Sequence, residues 1–152
     1  MNQPVPKNAG DYLTFRDGDS GAEVVLVRLA CGDELPPGAV RVTVSDCVVG
    51  CSRICTHMGC FLVPDSGGVP RPAPSPDGVL RCPCHSSCFD LKNKGLVVGG
   101  PATEWLPILE LRPVLIEGSD EVTEIVPLGW RRWGSVGRGV PYGGTDANPN
   151  GV

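Results

Sequence analysis

The 152-residue chain holds eight cysteines and only two histidines, and both histidines lie inside the tightest cysteine groups. The first group is Cys55-Thr56-His57-Met58-Gly59-Cys60, and the second is Cys82-Pro83-Cys84-His85-Ser86-Ser87-Cys88. Thiolates and neutral imidazoles are ligands of zinc and of iron–sulfur clusters, so the coincidence points to a metal centre. An even cysteine count also fits a small disulfide-stapled secreted domain, but such a scaffold gives no reason for histidines at these two places. A two-Cys, two-His zinc site is the main competitor. Zinc fingers and ribbons usually carry a Cys pair two to four residues apart in one half of the site. Here each half is mixed, with one His, one Cys and at least one spare Cys. With both histidines committed, no Ser/His/Asp triad can be built, and no phosphate-cradling glycine loop occurs.

The elements that must position these groups read as short strands. Glycine (21) and proline (16) together are about twice their usual share, which argues against long helices. Val24 to Leu29 is a buried apolar strand, Val40 to Val44 alternates at the period of two, and Cys47-Val48-Val49 leads into the first group. Val79-Leu80-Arg81 leads into the second; Leu96 to Val98, Ile108 to Leu111, Val114 to Ile116 and Val122 to Val126 follow it. Residues 1–20 read as an irregular lead-in. The stretch between the groups, with Pro64, Pro70, Pro72, Pro74 and Pro76, reads as a long surface loop too proline-rich for sheet. From Leu128 onward Trp130-Arg131-Arg132-Trp133 precedes a glycine-rich tail, with the tryptophans expected to cover a sheet edge and the arginines to stack on them. Hydrophobic residues make up 41% and the net charge is −4 without a basic run; a packed core is expected and nucleic acid or anionic lipid is not. No run approaches the ~20 apolar residues of a membrane span, and no signal peptide opens the chain. An anchor or export signal is expected to have been removed or to lie on another chain.

Cys-Thr-His-x-Gly-Cys followed by Cys-Pro-Cys-His resembles the Rieske [2Fe–2S] family, in its branch with a disulfide between the cluster loops. The resemblance covers residues 22–126 and is strongest from Cys47 to Leu111. It implies an all-β chain, with an antiparallel β-sandwich base domain (22–46 and 102–126), an inserted cluster-binding subdomain (47–101) and a C-terminal extension (127–152). It implies one [2Fe–2S] cluster, with Cys55 and Cys82 on one iron, His57 and His85 on the other, and a Cys60–Cys84 disulfide clamping the loops. Ser87 matches a serine that donates a hydrogen bond to a bridging sulfide, and Gly100-Pro101-Ala102 matches a proline loop over the cluster. Phe89 stands where many relatives carry a tyrosine bonded to a ligand sulfur, and Ser86 replaces a common glycine. Cys31, Cys47, Cys51 and Cys88 have no place in the family pattern and read as small buried side chains; if a second disulfide exists, Cys51–Cys88 is the first pair to test.

Two ferric ions, two sulfides and two thiolates sum to zero charge, and neutral imidazoles put such centres at roughly −150 to +300 mV. Reduction adds a negative charge beside the imidazoles and favours their protonation, which suits a quinol donor. The resemblance thus implies the iron–sulfur subunit of a cytochrome bc-type complex. In it His85 would take the quinol proton, and cytochrome b and a c-type cytochrome would be partners. A second resemblance, in Cys-Thr-His-Met-Gly-Cys, Phe89-Asp90 and Ala102 to Pro107, is to the Rieske subunit of arsenite oxidase, where the partner is a molybdopterin subunit. Either way the chain alone is expected to catalyse nothing beyond electron transfer. A disulfide at the cluster implies an oxidising compartment, hence the periplasm or the outer face of a bacterial-type membrane.

Overall fold

The computed structural model describes residues 2–74 and 77–131. Apart from a 3-10 turn at Leu91–Asn93, its regular structure is β. The strands are β1 (Gln3–Pro4), β2 (Asp11–Arg16), β3 (Glu23–Ala30), β4 (Val40–Arg41), β5 (Asp46–Ser52), β6 (Arg71–Pro72), β7 (Val79–Arg81), β8 (Cys88–Asp90), β9 (Leu96–Gly99), β10 (Ile108–Pro113) and β11 (Glu124–Arg131). A large antiparallel sheet runs β1-β11-β10-β5-β3-β2-β6, with β4 paired to β5; a small sheet runs β7-β8-β9.

Successive side chains of a strand point to opposite faces, and the central strands of the large sheet are apolar on both. Val25, Val27 and Leu29 of β3 join Cys47, Val49 and Cys51 of β5 in one core, together with Leu80 and Phe89 of the small sheet and Leu91 of the 3-10 turn. Val24 and Leu26 face the other way, into a second core with Val48, Leu109, Leu111, Ile125 and Trp130. The small sheet therefore lies on one face of the large one. Arg28, buried in the middle of β3, is neutralised by Asp46 at 2.9 Å and also donates to the carbonyl of Pro6.

Several details depart from the sequence reading. The lead-in contains two strands: Tyr12 and Leu13 of β2 enter the two cores on opposite faces. The proline-rich loop also contributes β6, paired Asp11↔Pro72 and Tyr12↔Arg71. It lies at the sheet edge, where a residue without an N–H is tolerated. Beyond Val40–Arg41 the alternating run turns, with Val42 and Thr43 donating to the Asp46 carbonyl and Val44 94% exposed. Val114 to Ile116 is no strand: Pro113 ends β10 and Leu115 is 81% exposed. The last strand instead begins at Glu124 and continues through Pro127, because a bulge opposite Glu110 and Leu111 takes up an extra residue. The first residues of the expected extension thus belong to β11. Trp130 is buried there and donates to the Ser20 hydroxyl, and Arg131 pairs with Glu110. Arg132, Trp133 and the glycine-rich tail lie outside the described residues.

Cys31 and Cys47 form a disulfide, with Cα atoms 5.8 Å apart, where unpaired thiols were expected. The Cys31 N–H donates to the Ser45 carbonyl, which draws the chain leaving β3 alongside β5. Cys51 and Cys88 do not pair; both are buried free thiols, and burial pushes the Cys51 thiol far above its ordinary range.

Candidate metal centre

Two loops built to the same plan meet at one end of the molecule. The first follows β5. A bridge between Ile54 and Phe61 closes its stem, the Cys55 N–H donates to the Cys60 carbonyl at 2.8 Å, and the Gly59 N–H returns to the Cys55 carbonyl. The second joins β7 to β8. The Cys82 N–H donates to the Ser87 carbonyl at 2.7 Å, and the Ser86 N–H returns to the Cys82 carbonyl. In each loop the residue four after the leading cysteine has a left-handed backbone, φ +79 at Gly59 and φ +65 at Ser86. Ser86 therefore keeps the glycine conformation of its position although it carries a side chain.

The folds of these loops bring Cys55 to Cys82 and His57 to His85. The two cysteines are buried, and their thiols lie within hydrogen-bonding reach of each other. Burial pushes the Cys55 thiol up, as does the neighbouring Cys82, while the backbone N–H groups of His57 and Met58 act in the opposite sense. The imidazoles of His57 and His85 meet edge-to-face, with ring centroids 5.1 Å apart. Their burial is graded: His57 is half-buried and His85 is exposed. The Nδ1 atom of His57 is buried without a hydrogen-bond partner. Two neighbouring buried thiols and two imidazoles in contact, one with its Nδ1 unpartnered, are donors of the types that fit a [2Fe–2S] cluster.

Cys60 and Cys84 are disulfide-bonded, linking the loops with Cα atoms 6.5 Å apart. Their sulfurs lie within 4.8 Å of the Cys82 sulfur, so the bond sits against the donor set. A third segment closes over the loops. A Cβ at Gly100 (φ +78) would stand 2.4 Å from the Ser87 Cα, so only glycine lets the chain approach this closely. The Ala102 N–H then donates to the buried Ser87 hydroxyl at 3.1 Å, which leaves the hydroxyl proton for a further acceptor. Pro101 is exposed between them. Sequence reasoning missed Thr56, which lies inside the first motif: its hydroxyl donates to the Glu104 carbonyl at 2.7 Å and ties the first loop to the third segment. Phe89 is fully buried, opposite Leu80 and Val97 of the neighbouring strands.

Comparison with known proteins gives the family and, with it, the cofactor. The sequence profile of the Rieske [2Fe–2S] domain matches residues 16–110. A protein of Haloferax mediterranei described as the Rieske subunit of a respiratory nitrate reductase is 38% identical over 60 residues, 40% of this chain and 23% of the relative. The cytochrome bc1 complex Rieske iron–sulfur subunit of Corynebacterium glutamicum is 34% identical over 85 residues, 53% of this chain and 19% of the relative. That of Streptomyces lividans is 38% identical over 64 residues, 42% of this chain and 33% of the relative. The matched stretches thus span a third or less of these relatives. The crystal structure of the soluble domain of Rieske protein II from Sulfolobus acidocaldarius has the same fold, with a TM-score of 0.50 and 20% identity over 86% of this chain and 78% of that one. The chain belongs to the Rieske [2Fe–2S] family. Its cofactor is the [2Fe–2S] cluster, and its chemistry is iron–sulfur electron transfer. Among the described residues no helix is long and apolar enough to cross a membrane.

Proposed function

We propose that Cys55 and Cys82 hold one iron of the cluster and His57 and His85 the other, and that the chain takes an electron and a proton from quinol. It would pass the electron to a c-type cytochrome, as the iron–sulfur subunit of a cytochrome bc-type complex. The observation that carries this reading is the graded burial of the four donors, from two buried cysteines through half-buried His57 to exposed His85. When bound, the cluster supplies a site that gains and loses one electron near neutral net charge. The protein's own groups do the rest. The buried cysteines keep water from the sulfur end. The Cys60–Cys84 bond and the Thr56–Glu104 and Ser87–Ala102 hydrogen bonds hold the three segments in register. The exposed His85 imidazole, free of a proton on its outer ring nitrogen when the donor arrives, would accept a hydrogen bond there and then the donor's proton, while Pro101 and the Ser87 hydroxyl would lie beside the cluster. The bc1 subunits among the relatives support this complex. The disulfides support an oxidising location at the periplasmic or outer face of a membrane.

A second reading keeps the cluster and changes the partner, to the large subunit of a molybdopterin oxidoreductase that delivers electrons without quinol. The relative described as a nitrate reductase subunit supports a Rieske chain outside bc-type complexes. Purification of the complex from its native membrane separates the two. Cytochromes b and c with quinol-dependent reduction are expected. A large molybdopterin protein, with no reduction by quinol, would replace the first reading by the second.

A further inference from the structure

Arg53 is a charged side chain buried two residues before Cys55. Its guanidinium makes three contacts that no metal-binding motif requires. Nε donates to the Val63 carbonyl at 2.9 Å, a terminal nitrogen donates to Glu23 Oε1 at 3.3 Å, and Cζ lies 4.0 Å over the Phe61 ring. Its backbone is engaged as well: the Arg53 N–H donates to the Glu23 carbonyl, and the Arg53 carbonyl accepts from Leu62 at 2.7 Å. Arg53 thus grips both arms of the first loop's stem and fastens them to the first residue of β3.

We propose that Arg53 is the positioning residue of the first cluster-binding loop: by locking Phe61, Leu62 and Val63 to the chain entering Cys55, it sets where Cys55 and His57 stand relative to the Cys60–Cys84 bond. The proposal rests on the ligand set proposed above. Its contacts to Val63, Glu23 and Phe61 are directional, so the role proposed for it is geometric. Lysine cannot reproduce it, because a single ammonium lacks both the planar fork and the flat face that stacks on an aromatic ring. Phe61 is 48% exposed, and the guanidinium covers one face of its ring.

The test uses cluster-loaded protein with Arg53→Lys, Arg53→Met, Phe61→Leu and, as control, Arg16→Met. Arg16 is an exposed partner of the same Glu23 carboxylate. The readouts are the EPR g-values of the reduced protein, its midpoint potential, and the rate of signal loss under a chelator. Arg53→Lys and Arg53→Met are expected to change the g-values and midpoint and to lose the signal about tenfold faster or more, the scale of one lost hydrogen bond to a charged group. Phe61→Leu should fall between them and wild type, and Arg16→Met should match wild type. Should Arg53→Met not fold, Arg53→Lys and Phe61→Leu decide. Wild-type g-values, midpoint and cluster retention in Arg53→Lys would overturn the clamp while leaving the ligand set standing. A wild-type protein without a histidine-ligated signal would overturn the ligand set, and the clamp with it.

Discussion

Removing the two disulfides one at a time separates what holds the protein from what holds its metal. In the chain-entropy treatment a crosslink stabilises according to the length of chain it closes. Cys60–Cys84 closes a separation of 24 residues and Cys31–Cys47 one of 16. The two are therefore worth nearly the same, about 3.4 and about 3.1 kcal/mol. For a chain of this size each double alanine variant should lower Tm by about 6–13 °C. Their effects on the metal should differ. Cys60–Cys84 joins the two donor loops and its sulfurs lie against Cys82. Cys31–Cys47 ties the end of β3 to the start of β5, with the remainder of β5 between it and the first loop. Thermal unfolding followed by circular dichroism, beside an EPR-monitored redox titration, reads both quantities on the same samples. Cys60→Ala/Cys84→Ala should lose cluster and shift the midpoint, while Cys31→Ala/Cys47→Ala should lose only stability. An equal midpoint shift in both variants, or none in the first, would refute the reasoning.

Three further outcomes follow from single residues. Ser86→Gly relieves a left-handed backbone worth about 1–2 kcal/mol against a glycine entropy cost of about 0.5–1 kcal/mol; a net gain of roughly 0.5–1 kcal/mol should appear in urea unfolding, and a loss would mean that the serine side chain is needed. Phe89→Tyr supplies the tyrosine that the family resemblance places against a ligand sulfur and should raise the midpoint, and an unchanged potential in a folded variant contradicts that. The Asp65 carboxyl is held below its ordinary range first by the Gly67 N–H and then by the Thr14 hydroxyl. Its stabilisation is complete above about pH 4, the unfolded value, and is lost as pH falls through the lower folded value. Asp65→Asn should flatten that part of a pH series of unfolding midpoints; an unaltered acid limb would show that Asp65 contributes nothing there.

The metal-binding end was legible because its chemistry is local. Cys55 to Cys60 and Cys82 to Ser87 each specify a closed loop within six residues, so the residue types alone announced the centre and its family. What sequence could not show depends on partners far along the chain. The Cys31–Cys47 bond exists because of the register of β3 on β5, and no spacing rule encodes that register. Strand β6 hides in a proline-rich loop because edge position, not composition, decides whether proline is tolerated. Pro127 and Leu128 sit inside β11 because a bulge opposite Glu110 accommodates them, and a proline in a run otherwise reads as its end. Thr56 and Arg53 flank or interrupt the motif, but their roles come from carbonyls and side chains that only the fold brings near.

The ligand set and its coupling to protons are tested most directly by an EPR-monitored redox titration of the purified protein at several pH values. A rhombic signal that appears on reduction is expected, with a midpoint that falls at alkaline pH. A colourless, EPR-silent protein with stoichiometric zinc would contradict a histidine-ligated [2Fe–2S] centre, and a pH-independent midpoint would contradict the role of His85 as proton acceptor.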